Sequence, residues 1–300
     1  MSAKMGKAKI PARVWAALIL FGLFGQLAWV VENMYFNVFL YNTVSDDPNY
    51  IADMVAASAV TATLTTLIMG ALSDKVGRRK PFIAFGYIIW GITTGAFAFI
   101  STAETAKLFP TVNAVAATAI IVVVMDCVMT FFGSTANDSA FNAWVTDVTA
   151  AENRGKTETV LAIMPLLAMI IIFGGMDGLT QSGNWKAFFL IIGGLVTLGG
   201  IIGLFILRDD PDLKPVHQNY FKNIIYGFRP STVRSHPMLY VALTALCILA
   251  IAYQVFMPYL IIYIQMYLGI TDYALVLGIV LILSSVILSL IHISEPTRRS

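Results

Sequence analysis

The chain has 300 residues, of which 58% are hydrophobic and 12% charged, and its net charge is +2. Soluble domains carry about 25% charged residues, so this composition, with a mean hydropathy of +0.79, excludes a water-soluble fold. Both cysteines, Cys127 and Cys247, fall inside apolar runs, which argues against a disulfide framework or a thiolate metal site.

A spanning helix needs roughly 20 mostly apolar residues. Such runs cover 14–40, 50–72, 81–100, 115–145, 159–178, 185–207 and 239–264, and a final run starts at Tyr273. In lipid the backbone must satisfy its own hydrogen bonds, which leaves helices or closed barrels. Runs this long and continuous predict an all-α polytopic membrane protein. The first run is no cleaved signal peptide, because it is too long and ends in Glu32-Asn33-Met34-Tyr35-Phe36-Asn37 instead of small residues.

Taken in chain order, the amino-terminal segment is basic, with Lys4, Lys7, Lys9 and Arg13. In the first run Gln26, Asn33 and Asn37 fall within about 40° of one another at 100° per residue, with Glu32 on the flank beside Trp29 and Phe36. Between the second and third runs stands Gly70-Ala71-Leu72-Ser73-Asp74-Lys75-Val76-Gly77-Arg78-Arg79-Lys80-Pro81. Here Gly70 allows close helix approach, Asp74 can cap a helix or pair with a cation, and Gly77 permits a tight reversal. The basic residues suit an anionic lipid surface.

The fourth run places Asp126, Thr130, Gly133 and Asn137 on one stripe and Ser134, Asp138 and Phe141 on the next. Asp147 and Arg154 then flank a polar turn and form a candidate ion pair between helices. Pro165 is expected to kink the fifth run, and Asp177 near its outer end is expected at the membrane interface. The central loop, 208–236, joins two bundles, and its stretch 219–228 has the pattern of an amphipathic interfacial helix. In the seventh run Gln254 and Tyr253 are polar, and Pro258 is a second expected kink.

Placing the charges fixes an orientation. Fifteen Lys and Arg, from the amino terminus, the second and fourth loops and the central loop, share one side of the alternating topology. The other side has Lys107 and Lys186 beside Asp46, Asp47, Asp53 and Glu104. The positive-inside rule then predicts a cytoplasmic amino terminus in a plasma (inner) membrane. Alternation of this kind also argues against a nucleic-acid-binding patch.

Inside the spans the polar chemistry is unbalanced. Glu32, Asp126 and Asp138 lie in helices one and four, while no Lys, Arg or His lies well inside helices one to six. A charged residue at the bilayer centre costs about 2.5–3.5 kcal/mol on insertion scales and usually faces a cavity. Each acid must therefore be protonated, hydrated or matched by an external cation. Helices one and four also share a short pattern, Glu32-Asn33 followed by Phe36-Asn37, and Asn137-Asp138 followed by Phe141-Asn142.

The loop Gly70–Lys80 resembles the signature of the major facilitator superfamily, Gly-x-x-x-Asp-Arg/Lys-x-Gly-x-Arg/Lys-Arg/Lys, with every defined position filled. The resemblance implies twelve helices in two six-helix halves, each an inverted pair of three-helix repeats, with helices one and four as equivalents. This chain would supply the first half (1–207), the central loop (208–236) and the first one to two helices of the second half (237–287). Gly70, Asp74, Lys75, Gly77, Arg78, Arg79, Asp147 and Arg154 would form the gating motif. Asn137-Asp138 with Ala140-Phe141-Asn142-Ala143-Trp144 is similar to the fourth helix of the glycoside–pentoside–hexuronide cation symporters, which assigns ion binding to Asp138. Glu32 and the residues after it look more like the sucrose–proton symporter branch. The Asp-Pro that often follows the fourth-helix aspartate in melibiose-type members is absent, which favours protons over sodium.

The end of the chain, Leu288 to Arg298, resembles the translation of a transposase adapter used in sequencing libraries, with eleven consecutive matches. Native sequence is accordingly expected to stop near Ile287, with 288–300 a scar and the chain as it stands incompetent for transport.

The expected function is secondary active transport: cation-coupled symport of a sugar or related small polar solute by alternating access. Cation-coupling candidates are Asp138, Glu32 and Asp126. Candidates lining the substrate cavity are Gln26, Asn33, Asn37, Thr130, Asn137, Phe141 and Gln254. No cofactor or metal is expected beyond the coupling ion, no nucleic acid is a partner, and the oligomeric state stays open. The alternatives are transport of a non-sugar solute and uniport. A seven-helix receptor leaves the charged signature unexplained, and a membrane enzyme lacks a nucleophile–base pair, since His217 and His236 lie in the central loop.

Overall fold

In the computed structural model the described residues are 10–211, 213–215, 229–270 and 272–294, with side chains through 284. The proposed interfacial stretch 219–228, residues Lys4, Lys7, Lys9 and His217, and the last six residues lie outside them. Among the described residues seven helices are long and apolar enough to cross a membrane: α1 (Ala12–Thr43), α2 (Pro48–Val76), α3 (Lys80–Phe99), α4 (Ala114–Val148), α5 (Ala151–Gly175), α6 (Trp185–Ile206) and α7 (Pro237–Tyr267). An eighth, α8 (Tyr273–Ser294), follows. It runs past Ile287 without interruption, so the backbone marks no boundary at the expected junction.

Local chemistry sets the helix ends. Asp47 accepts from the Asn49 amide at the start of α2 with Pro48 in the first turn, and Gly77 closes that helix in the left-handed conformation, at φ 68°. Asn113 accepts from the amides of Val115 and Ala116 at the start of α4, and Asn184 accepts from that of Ala187 at the start of α6. Pro165 is carried inside a continuous helix, whereas Pro258 lies in a 3₁₀ turn, Met257–Tyr259, that interrupts α7.

The first six helices pack together, and α3 and α6 meet along the most extensive helix–helix face. Glycines allow it: a Cβ on Gly193 would come within 2.5 Å of the Gly91 carbonyl oxygen, and one on Gly200 within 2.7 Å of the Ala84 oxygen. Arg13 at the start of α1 donates to the carbonyls of Phe205 and Ile206 at the end of α6. At the opposite end Phe36, Phe39, Phe97, Trp185 and Phe189 form an aromatic cluster.

Helices α7 and α8 join this body unevenly. No residue of Pro237–Phe256 is buried, while Pro258, Ile261, Ile262 and Ile264 are. Contact with the first six helices is thus concentrated at the end of the molecule opposite the Gly70–Lys80 loop.

Three helices share a departure from regular geometry. Val31–Tyr35 in α1, Ser134–Phe141 in α4 and Tyr263–Tyr267 in α7 are π-helical, so each turn there takes an extra residue. Such turns leave carbonyls short of partners, and side-chain amides fill the gap. Asn37 donates to the Asn33 carbonyl at 2.7 Å and Asn142 to the Asp138 carbonyl at 3.0 Å. These are the same two places in the short pattern common to helices one and four.

Candidate functional site

The widened turn in α1 rearranges the polar face expected from a regular helix. Gln26 is half-buried and Asn33 exposed, but Asn37 is buried at 1% exposure. The three do not share one accessible face, because an extra residue in the turn rotates everything that follows it. The same turn carries Glu32 inward, against α4.

There Glu32 accepts a hydrogen bond from the Thr130 hydroxyl at 2.8 Å through Oε1. Its other oxygen, Oε2, is buried without a partner, as is Oδ1 of Asp126. Asp126 lies near Ser58 of α2, and both Asp126 and Asp138 lie near Glu32. Asp138, one turn from Ser134, accepts from that hydroxyl at 2.9 Å and is half-buried. No Lys, Arg or His pairs with any of the three among the described residues. The cluster is three carboxyl groups, two of which accept a hydroxyl donor.

Beside it runs a neutral network. Asn137 donates to the Tyr87 hydroxyl at 2.6 Å, Tyr87 donates to the Phe21 carbonyl at 2.7 Å, and the Trp29 indole donates to Asn137 at 3.4 Å. Phe141 packs against Phe21 and Trp144 and is 2% exposed. Asn137, Phe141 and Thr130, expected on a cavity wall, thus sit in interhelical packing in this arrangement. Gln254 is exposed on α7, away from the carboxyl cluster's hydrogen bonds.

The Gly70–Lys80 loop forms a second charged site. Arg79, 6% exposed at its side chain, pairs with Asp74 at 2.5 Å and with Asp147 at 3.0 Å, and it donates to the Ser73 hydroxyl at 2.6 Å. Burial opposes the guanidinium charge, but the hydrogen bonds it donates to Asp147 and Asp74 outweigh it, so its pKa rises above the ordinary arginine value. Asp209 closes the arrangement by accepting from the amides of Arg79 and Lys80, both at 2.8 Å, at the start of α3. Gly77 meets Pro215 of the central loop, where a Cβ would come within 2.9 Å of the proline nitrogen. Lys75 and Arg78 are exposed and Gly70 half-buried.

Two expectations need correction. Asp147 was matched with Arg154, but its partner is Arg79; Arg154 is exposed and lines a shallow pocket with Thr149, Thr157 and Glu158. The helix after the turn points Arg154 outward, while α2 and α3 bring Arg79 under α4. Asp177 was expected at an interface, yet it is 2% exposed. Tyr35 and Tyr273 both donate to it, because the α5–α6 turn folds back over the widened turn of α1.

Sequence reading missed Ser58, Tyr87, Asp209 and the buried Gln265 amide oxygen in the π-helical turn of α7. Only Asp209 carried a signal, as an acid just after a helix. The others are ordinary residues whose partners lie on distant helices.

A family model described as Major Facilitator Superfamily matches residues 14–294. No curated protein and no solved structure gives a significant match.

Proposed function

Since the chain belongs to the major facilitator superfamily, a family of membrane transporters of small-molecule solutes, we propose that it serves as a cation-coupled symporter of a sugar or a related small polar solute. The observation carrying this reading is the pair of buried carboxyl oxygens, Glu32 Oε2 and Asp126 Oδ1, that have no hydrogen-bond partner. A buried carboxylate without a cation is strongly unfavourable. A cation that arrives and leaves resolves this, and Glu32, Asp126 and Asp138 are the groups to bind it. Protons are favoured over sodium because the Asp-Pro that often follows the fourth-helix aspartate in melibiose-type members is absent after Asp138.

In this reading the Arg79–Asp74–Asp147 network acts at the cytoplasmic end and must rearrange as the halves rock, since only a difference between two states can bias them. Gln26 and Asn33, which remain accessible, are the residues of α1 to meet the solute, and Gln254 is the candidate from α7. Asn37, Thr130, Asn137 and Phe141 would support that surface from behind. In this reading the amino terminus is cytoplasmic, which the charge asymmetry supports, and the membrane is the plasma (inner) membrane.

The test is uptake of radiolabelled sugars into vesicles carrying the full-length protein, under imposed proton or sodium gradients. Glu32→Gln and Asp138→Asn are expected to abolish gradient-driven accumulation. Uptake indifferent to either gradient would overturn the symport reading. Infrared difference spectra of the chain give a readout independent of transport, since a protonated-carboxyl band should vanish in Glu32→Gln.

A further inference from the structure

We propose that Asp177 is the acceptor of a latch that closes the end of the molecule opposite the Gly70–Lys80 loop, holding α8 against the first six helices. The inference is about conformation and does not depend on coupling by Glu32, Asp126 or Asp138.

Three separate parts of the chain converge on one carboxylate. The Tyr35 hydroxyl, from the widened turn of α1, donates to Asp177 Oδ1 at 2.8 Å. The Tyr273 hydroxyl, from the first turn of α8, donates to the same oxygen. Gln181, one turn further along the Asp177–Gln181 helix, donates to Oδ2 at 2.5 Å, and Thr180 adds a contact of 3.3 Å to Oδ1. Both tyrosines are fully buried. No cation is among the partners, so hydrogen-bond donors alone stabilise the acid.

The distribution of contacts makes this a latch and not merely a buried polar cluster. Tyr273 is the one buried residue among the described residues of α8. Helix α7 is unburied from Pro237 to Phe256 and buries Pro258, Ile261 and Ile262 beyond that point, where the Tyr259 hydroxyl donates to the Pro48 carbonyl at 3.2 Å. The fully buried contacts between the two bodies therefore lie at one end, with Ala274, Leu277 and Leu281 of α8 packing half-buried alongside. Rocking them apart there has to break the Tyr273–Asp177 bond, whereas the Tyr35 and Gln181 bonds stay within the first six helices. Those two bonds hold the acceptor in place whether the latch is open or shut. Because Asp177 keeps donors when Tyr273 leaves, opening does not strand a bare charge in a dry site, and this lets the contact be reversible.

The experiment places spin labels at two exposed positions of the closed end, Leu108→Cys and Tyr267→Cys, with Cys127 and Cys247 replaced by serine. Distances are read by double electron–electron resonance on the purified chain in lipid nanodiscs, with no solute or ion gradient, so a failed uptake assay leaves the result standing. The parent should give mainly one short distance. Tyr273→Phe, which removes a single oxygen, should raise the population of a longer distance about tenfold, the effect of losing one hydrogen bond to a charged group. Asp177→Asn should act in the same direction, and the double variant should add little to either single one. Unchanged distances in both single variants, or fully additive shifts, would overturn the latch. So would an equal shift in Gln181→Leu, because the Gln181–Asp177 bond lies within one body and its loss would report only general loosening.

Discussion

Where α2, α3 and α4 meet the Gly70–Lys80 loop, one guanidinium faces two carboxylates and a hydroxyl, and a third acid caps the adjoining helix. Deeper along α1 and α4, Glu32 and Asp126 face hydroxyls and each other, with no base in reach. In the first site each acid finds a donor within the protein. The second is incomplete within the protein, and the missing partner is the transported cation in the function proposed above. The contrast separates a part whose partners all lie within the protein from a part that, in the function proposed above, works by gaining and losing a charge.

Substitutions at the two sites should therefore fail in different ways. Glu32→Gln is expected to lower gradient-driven uptake about a hundredfold, or ~2.8 kcal/mol at 1.4 kcal/mol per decade, while leaving thermal unfolding in detergent unchanged or improved, since it removes an unmatched buried acid. A variant that unfolds early while still coupling would erase the distinction. Arg79→Gln should do the reverse, destabilising by about 2 kcal/mol in the same melts. That is less than the 3–5 kcal/mol of a fully buried pair, because Asp74 keeps 36% of its side chain exposed.

Smaller effects sharpen the boundary between the two sites. In Gly25→Ala the new Cβ would fall 2.2 Å from the Asn137 amide nitrogen and 2.6 Å from the Tyr87 hydroxyl, so overpacking of about 1–3 kcal/mol is expected. Asn137→Ala in the same background should recover part of that loss, as read in a double-variant cycle. Asp209→Ala removes the cap of α3 and should lower stability by about 1 kcal/mol without changing the ion dependence of uptake.

Much of this was legible in advance. The spans followed from runs of apolar residues, which register in any window of the right length, and the glycine–aspartate loop followed from its spacing. The three intramembrane acids stood out because charge is rare there. What was not legible depended on a quantity the sequence does not display, the number of residues per turn. A regular 3.6-residue helix groups Gln26, Asn33 and Asn37 together, and the π-helical turn at Val31–Tyr35 separates them. The similarity between Glu32–Asn37 and Asn137–Asn142 was visible as letters. That Asn37 and Asn142 back-bond to equivalent carbonyls emerged only from the coordinates.

The amino-acid sequence by itself determined a membrane-spanning all-helical chain, its helix order, its signature loop and the presence of acids without bases. These properties depend on composition and on neighbours along the chain, and the bilayer enforces them strongly. Tertiary structure alone decided the pairings: Asp147 with Arg79, Glu32 with Thr130, and Asp177 with Tyr35 and Tyr273. Each joins residues on different helices, and the rotation of one helix against another is set by packing of small and aromatic side chains over the whole interface. No local pattern encodes that rotation, so a carboxylate read as interfacial from its position in a run could prove to be buried beneath two tyrosines.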